Sequence, residues 1–228
     1  MLREGVAGMR SSLVLAVLVL ALAPALAAAG GGEGGPSRRR AGASTSDPAG
    51  DEQATLALGG AAADALDCHD PSIDILSVAA TARRGTLRVE VQHAAPVRAP
   101  RLTCSGLPAA AAGQTYTLAI EGAGDSFLFL SVKATEACLY VLFENPVQMS
   151  DCLPAAQVDG ATIRLEVGLR GSVAVPDGTR QYQLNGTLSI HASAQEQGVP
   201  RPGPGAPLPN ALLRVEDHSD TDTFLTVR

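Results

Sequence analysis

Over residues 86–92 apolar and polar side chains alternate without a break, with Leu87, Val89 and Val91 in one set and Arg88, Glu90 and Gln92 in the other. Successive side chains of an extended strand point to opposite faces, whereas a helix repeats every 3.6 residues, so this stretch can bury one face of a sheet and cannot bury a helical stripe. The longest run of the same kind covers residues 162–169, where Ile163, Leu165, Val167 and Leu169 share a face and Asp159-Gly160 marks the turn before it. Residues 115–121 repeat the pattern and end at Gly122-Ala123-Gly124-Asp125, rich in residues that accept positive φ. Ile73 to Val78 leads through Arg84-Gly85 into the first of these runs and predicts a hairpin. Pro176-Asp177-Gly178 marks another turn, and Asn185-Gly186, between residues 181–184 and 187–191, is a candidate tight hairpin turn.

Residues 127–132 and 138–143 are nearly continuously apolar, which predicts two neighbouring strands buried on both faces, and Asn145-Pro146 breaks the second. No segment carries an amphipathic helical stripe; the alanine runs have helix propensity but nothing to bury. Short strands at spacings of about ten residues predict an all-β fold, an antiparallel β-sandwich of jelly-roll or immunoglobulin-like type, over residues 66–193. Before it, residues 30–65 are rich in Gly, Ala, Ser and Pro and read as a low-complexity, flexible N-terminal arm. After it, residues 194–210 read as a Pro-rich linker and 211–228 as edge strands or a tail.

Residues 1–29 have the layout of a secretion signal. Arg3 and Arg10 form a basic start, Leu13 to Leu22 an apolar centre, and Pro24 with the small residues up to Ala29 an exit for cleavage. Retention as an anchor is the rival reading, and Pro24 and the Arg38-Arg39-Arg40 run beyond the apolar segment weigh against it. Cleavage removes Arg3, Arg10 and Glu4 and takes the net charge from −6 to about −7. The four cysteines, Cys68, Cys104, Cys138 and Cys152, are even in number and lack CxxC spacing. In an exported chain that predicts disulfides; three connectivities are open, and sequence order favours Cys68–Cys104 with Cys138–Cys152 as the pairing with the shortest loops. The expected location is secreted, periplasmic or at the cell surface, with no membrane association after signal cleavage.

Aromatics are 3% and Trp is absent, which removes the usual platforms for stacking sugars and bases. With a net charge of −6, the chain also lacks a footprint for nucleic acid. His69, His93, His191 and His218 are scattered, with no HExxH, and Gly-x-Ser-x-Gly does not occur, so no catalytic residue is assigned. The feature to test as a site is the acidic group Asp47, Asp51, Asp67, Asp70 and Asp74, because Ca²⁺ needs several oxygen ligands at once and turn carboxylates supply them. Without a dense D-x-[DN]-x-[DN]-G spacing, solvated turn carboxylates are the favoured reading. A second group, Glu216, Asp217, Asp220 and Asp222, lies in the expected tail and is weaker still.

Asp47-Pro48-Ala49-Gly50-Asp51, Asp70-Pro71-Ser72-Ile73-Asp74-Ile75, the strand from Leu87 to Val91, and Tyr116 to Glu121 ending near Gly-Asp together resemble secreted β-sandwich modules of the DOMON and family-nine carbohydrate-binding-module type. The resemblance implies a sandwich whose relatives bind sugars, haem or calcium. The Trp of the sugar clamp is missing here, and Met149 with His191 is the only pair matching the haem ligands. The expected function is a non-enzymatic module that binds an extracytoplasmic protein or glycan. The alternatives are a calcium-braced structural module and a hydrolase whose site one sequence does not expose.

Overall fold

The computed structural model describes residues 41–58, 61–63, 68–105, 109–133, 135–200, 211–220 and 222–227; the signal segment 1–29 lies outside them. Every regular element among the described residues is a β-strand. A five-stranded sheet has the order β1 (Ala41–Ser46), β5 (Ile75–Arg83), β6 (Thr86–His93), β13 (Thr162–Gly168), β12 (Ala156–Asp159). The larger sheet runs β11 (Val147–Met149), β10 (Ala137–Glu144), β9 (Ser126–Lys133), β8 (Ala109–Glu121), β16 (Gly186–Pro200), β17 (Ala211–His218), β2 (Gln53–Leu58), β3 (Ala61–Ala63), with β18 (Thr223–Val227) also paired to β16. A ribbon of β14 (Arg170–Val175) and β15 (Gly178–Gln183) and the short pair β4 (Cys68–His69) and β7 (Thr103–Cys104) complete the set. All pairings are antiparallel and the sheets do not close into a barrel, so the architecture is a β-sandwich.

Alternation decides which face is inside. Leu87, Val89 and Val91 of β6, Ile163, Leu165 and Val167 of β13, and Tyr116, Leu118 and Ile120 of β8 all lie in one buried core. The β5–β6 hairpin turns on Arg84 (φ 53°) and Gly85 (φ 80°), two successive left-handed residues whose twist matches that of the flanking strands. A methyl removed from this core, as in Ile120→Val at a fully buried position, is expected to cost about 1 kcal/mol in a urea melt.

Four expectations are corrected. The arm over 30–65 contains paired strands: β1 adds to β5 in register Ala41↔Ala82 through Ser46↔Ser77, and β2 adds to β17. Likewise β16 extends through residues 194–200 of the expected linker; of the two readings of 211–228, strands or a tail, the strands are what form, with β17 and β18 paired to β16. Strands β9 and β10 bury one face fully and the other only in part. Leu128, Leu130, Val132, Leu139, Val141 and Phe143 face the core, while Phe127, Phe129, Tyr140 and Leu142 are half-buried. Asn185-Gly186 is not a tight hairpin, since β15 pairs with β14 and β16 with β8, β17 and β18.

The disulfides pair Cys68 with Cys104, across β4 and β7, and Cys138 with Cys152, tying β10 to the chain beyond β11. They fit an oxidising compartment. Among the described residues no helix is long and apolar enough to cross a membrane.

Candidate functional site

β1 belongs to the smaller sheet and β2 to the larger, so the connection Asp47-Pro48-Ala49-Gly50-Asp51-Glu52 must cross from one to the other. Pro48 fixes one φ, and Gly50 takes φ 79°, a left-handed value that glycine adopts without strain. The Asp47 amide donates to the carbonyl of Leu76 (2.9 Å), and the Gly50 amide donates to Asp74 Oδ2 (3.1 Å), immediately before β5. From the far end of the chain, Asp217 of β17 accepts the Ile75 amide on Oδ2 (2.5 Å), and the Asp220 amide donates to Asp47 Oδ1 (3.1 Å). The crossing is therefore laced to β5 and to the β17–β18 turn by carboxylate–amide bonds.

The result is a cluster of five carboxylates in two overlapping triads that share Asp51. Asp47, Asp51 and Asp220 form the outer one and Asp51, Asp74 and Asp217 the inner, each offering one oxygen per residue within 4.8 Å of the others. Asp51 faces water, whereas Asp74 and Asp217 are only 4% and 3% exposed. Burial, reinforced by Glu52, Asp51 and Asp47, pushes the Asp74 carboxyl up to about 6 against the pull of the Gly50 amide. Burial together with Asp51 and Asp47 pushes Asp217 up to about 7 despite its bond from Ile75. Asp47 is raised by burial, opposed by the Asp220 amide. Asp74 Oδ1 and Asp47 Oδ2 are buried without any hydrogen-bond partner, and no ion pair among the described residues neutralises the five. Buried like charges need a proton or a counter-ion. All donors here are oxygens, the ligand type of hard cations, and water can complete the coordination from the Asp51 side.

Three of the five carboxylates expected to cluster, Asp47, Asp51 and Asp74, do so; Asp67 lies outside the described residues. Asp70 goes elsewhere. Its Oδ1 accepts the Ser72 amide (2.9 Å) and hydroxyl (2.5 Å), and its Oδ2 accepts the Arg101 amide (2.9 Å) and Gln114 Nε2 (3.3 Å). Tyr116 donates to Gln114 Oε1 (2.9 Å) and accepts the Arg98 amide (3.1 Å). Asp70 is thus a turn carboxylate whose acceptors are consumed in pinning residues 98–101 to β8. In its place the structure brings in Asp217 and Asp220, 142 positions beyond Ile75 in the case of Asp217. Both belong to the second acidic group, Glu216, Asp217, Asp220 and Asp222, which the sequence set apart as the weaker candidate.

Two other arrangements were not visible in the sequence. His191 and His218, on β16 and β17, stack with ring centroids 6.0 Å apart; His191 Nδ1 lies 3.2 Å from Asp222 Oδ1, and Asp222 Oδ2 accepts from Ser189 (2.5 Å). Glu196 is fully buried, accepts the Gly113 amide (3.3 Å), leaves Oε2 unpartnered, and is pushed by burial to about 7. Met149 and His191 do not meet, since β11 and β16 are four strand spacings apart, about 19 Å.

No protein family, curated protein or solved structure matches this chain.

Proposed function

We propose that this protein is an exported, disulfide-held β-sandwich that works as a non-enzymatic structural module, braced by a divalent cation, with Ca²⁺ the fitting ion, where the chain crosses between its sheets. The observation that carries this reading is the inner triad: the Asp51, Asp74 and Asp217 oxygens lie within 4.8 Å of one another, two of the residues are buried, and one buried oxygen has no partner. A cluster of solvated turn carboxylates would not be buried with an orphaned acceptor. The export half of the proposal is supported by the signal-like residues 1–29 and by the two disulfides, which persist in oxidising compartments. The resemblance to DOMON and family-nine modules adds only the sandwich class.

Thermal unfolding at pH 8 tests the reading. Ligand at 100 times its Kd stabilises by about 2.7 kcal/mol, which for a chain of this size raises Tm by about 5 to 10 °C. Millimolar Ca²⁺ is expected to produce that rise relative to chelator, and Asp74→Asn with Asp217→Asn to abolish it. Equal melting temperatures with Ca²⁺ and with chelator would refute the cation.

A further inference from the structure

We propose that the cation is a latch on β1: with it bound, Ala41–Ser46 is held against β5, and without it this strand undocks while the rest of the sandwich stays folded. The inference rests on the cation reading above and adds what the site controls.

The grip of β1 on the core is weak by composition. Its sequence is Ala-Gly-Ala-Ser-Thr-Ser, its side chains alternate between half-buried and exposed, and only Ala41 and Ala43 pack against the core, from its margin. Among the described residues it is an edge strand with β5 as its single ladder partner. β5 itself buries Ile75, Val78, Ala80 and Ala82. Neither disulfide touches β1 or the crossing. Few buried apolar contacts and an exposed ladder define the segments that open locally at a small fraction of the global free energy.

What remains to hold β1 is concentrated at its C-terminal end. Thr45 Oγ1 meets Thr223 Oγ1 at 2.6 Å, the Asp47 amide meets Leu76, and the Asp220 amide meets Asp47 Oδ1. The five carboxylates gather at this same end. Two of them, Asp47 and Asp51, travel with the β1 side of the crossing. Asp74 and Asp217 belong to strands or strand starts fixed by the core, and β2 just downstream is anchored on β17 in register Gln53↔Glu216 through Leu58↔Ala211. A cation shared across these groups joins a loosely held segment to a firmly held one. In its absence the same carboxylates repel one another across the joint, so the repulsion falls on β1 and not on the core.

Hydrogen exchange followed by mass spectrometry, on the protein at pH 8 with 2 mM Ca²⁺ or with chelator, reads this directly. Amides of residues 41–47 are expected to exchange at least ten-fold faster with chelator, while those of β6 and β9 are unchanged. Asp47→Asn with Asp220→Asn leaves the inner triad intact, so Ca²⁺ should still raise Tm, but residues 41–47 should exchange fast even with the ion present. If Ca²⁺ raises Tm and residues 41–47 are protected equally with and without it, or if protection changes uniformly along the chain, the latch is wrong and the structural brace stands. If Ca²⁺ alters neither melting nor exchange, both fall.

Discussion

Cys68→Ala with Cys104→Ala should lower the stability by about 4 kcal/mol, the larger of the two disulfide effects. The bridge closes a loop with a sequence separation of 36, and the chain-entropy cost of leaving such a loop open in the unfolded state gives that figure. The native state has little in reserve at this point. β4 and β7 are two residues each, paired as Cys68↔Cys104 and His69↔Thr103, and a ladder that short is not stable in water without the covalent link. Cys68 is also buried in the core, so its sulfur leaves a small cavity. Cys138→Ala with Cys152→Ala, across a separation of 14, should cost about 3 kcal/mol by the same reasoning. Both double variants avoid stranding a lone thiol. Urea midpoints against the oxidised parent decide it, and parity between parent and variant would mean that turns and core alone position the β4–β7 pair.

The second large effect is on pH. Asp74, Asp217 and Glu196 are held up by burial to about 6, 7 and 7, whereas an unfolded chain ionises such groups near 4. Between those limits the folded state binds more protons than the unfolded one, so stability is full below about pH 4 and is lost as pH rises through the folded values. His93 works in the opposite sense. Burial holds it down to about 4, so its contribution is present above about 6.5 and is lost on acidification; it offsets part of the decline below that pH. In chelator the net fall from pH 5 to pH 8 should be about 3 kcal/mol, well short of the sum of the three shifts because water screens the cluster through Asp51. Ca²⁺ should flatten the share of Asp74 and Asp217 and leave that of Glu196, which lies apart from the acidic crossing. Glu196→Gln should therefore stabilise at pH 8 by about 1 to 2 kcal/mol and make no difference at pH 4. A rise in stability of the cation-free protein between pH 5 and pH 8 would show that these carboxyls are ionised in the fold.

Strands whose large side chains alternate were legible in the sequence: β6, β13 and β8 bury the residues that their period of two puts on one side. β1 was not. Its alternation is among Ala, Gly, Ser and Thr, which differ too little in hydrophobicity to carry a period, and it becomes a strand because β5 offers an open edge. Pro200 misled in the same way, since a proline at the very end of β16 gives up a donor where the strand stops. β9 and β10 read as doubly buried because Phe127, Phe129, Tyr140 and Leu142 are apolar, yet composition does not say whether a second layer covers them. Three of the five carboxylates of the acidic site, Asp47, Asp51 and Asp74, stood together in the first acidic group. The other two, Asp217 and Asp220, stood in the second group, and their joining the first depended on β17 pairing with β2, a long-range fact no local pattern encodes. Asp70 shows the converse: the Asp-Pro-Ser turn holding it is local, and its carboxylate is spent there.

The pairing of β2 with β17 also sets an order of events. Leu58 lies opposite Ala211, and β18 completes the same edge of β16 by pairing with its first residues. A strand made early thus waits for one made much later, and contacts of such long sequence separation are the kind that fold slowly. Until β17 and β18 have left the ribosome the larger sheet lacks one flank, and a chain synthesised only as far as β16 leaves β2 without its β17 partner.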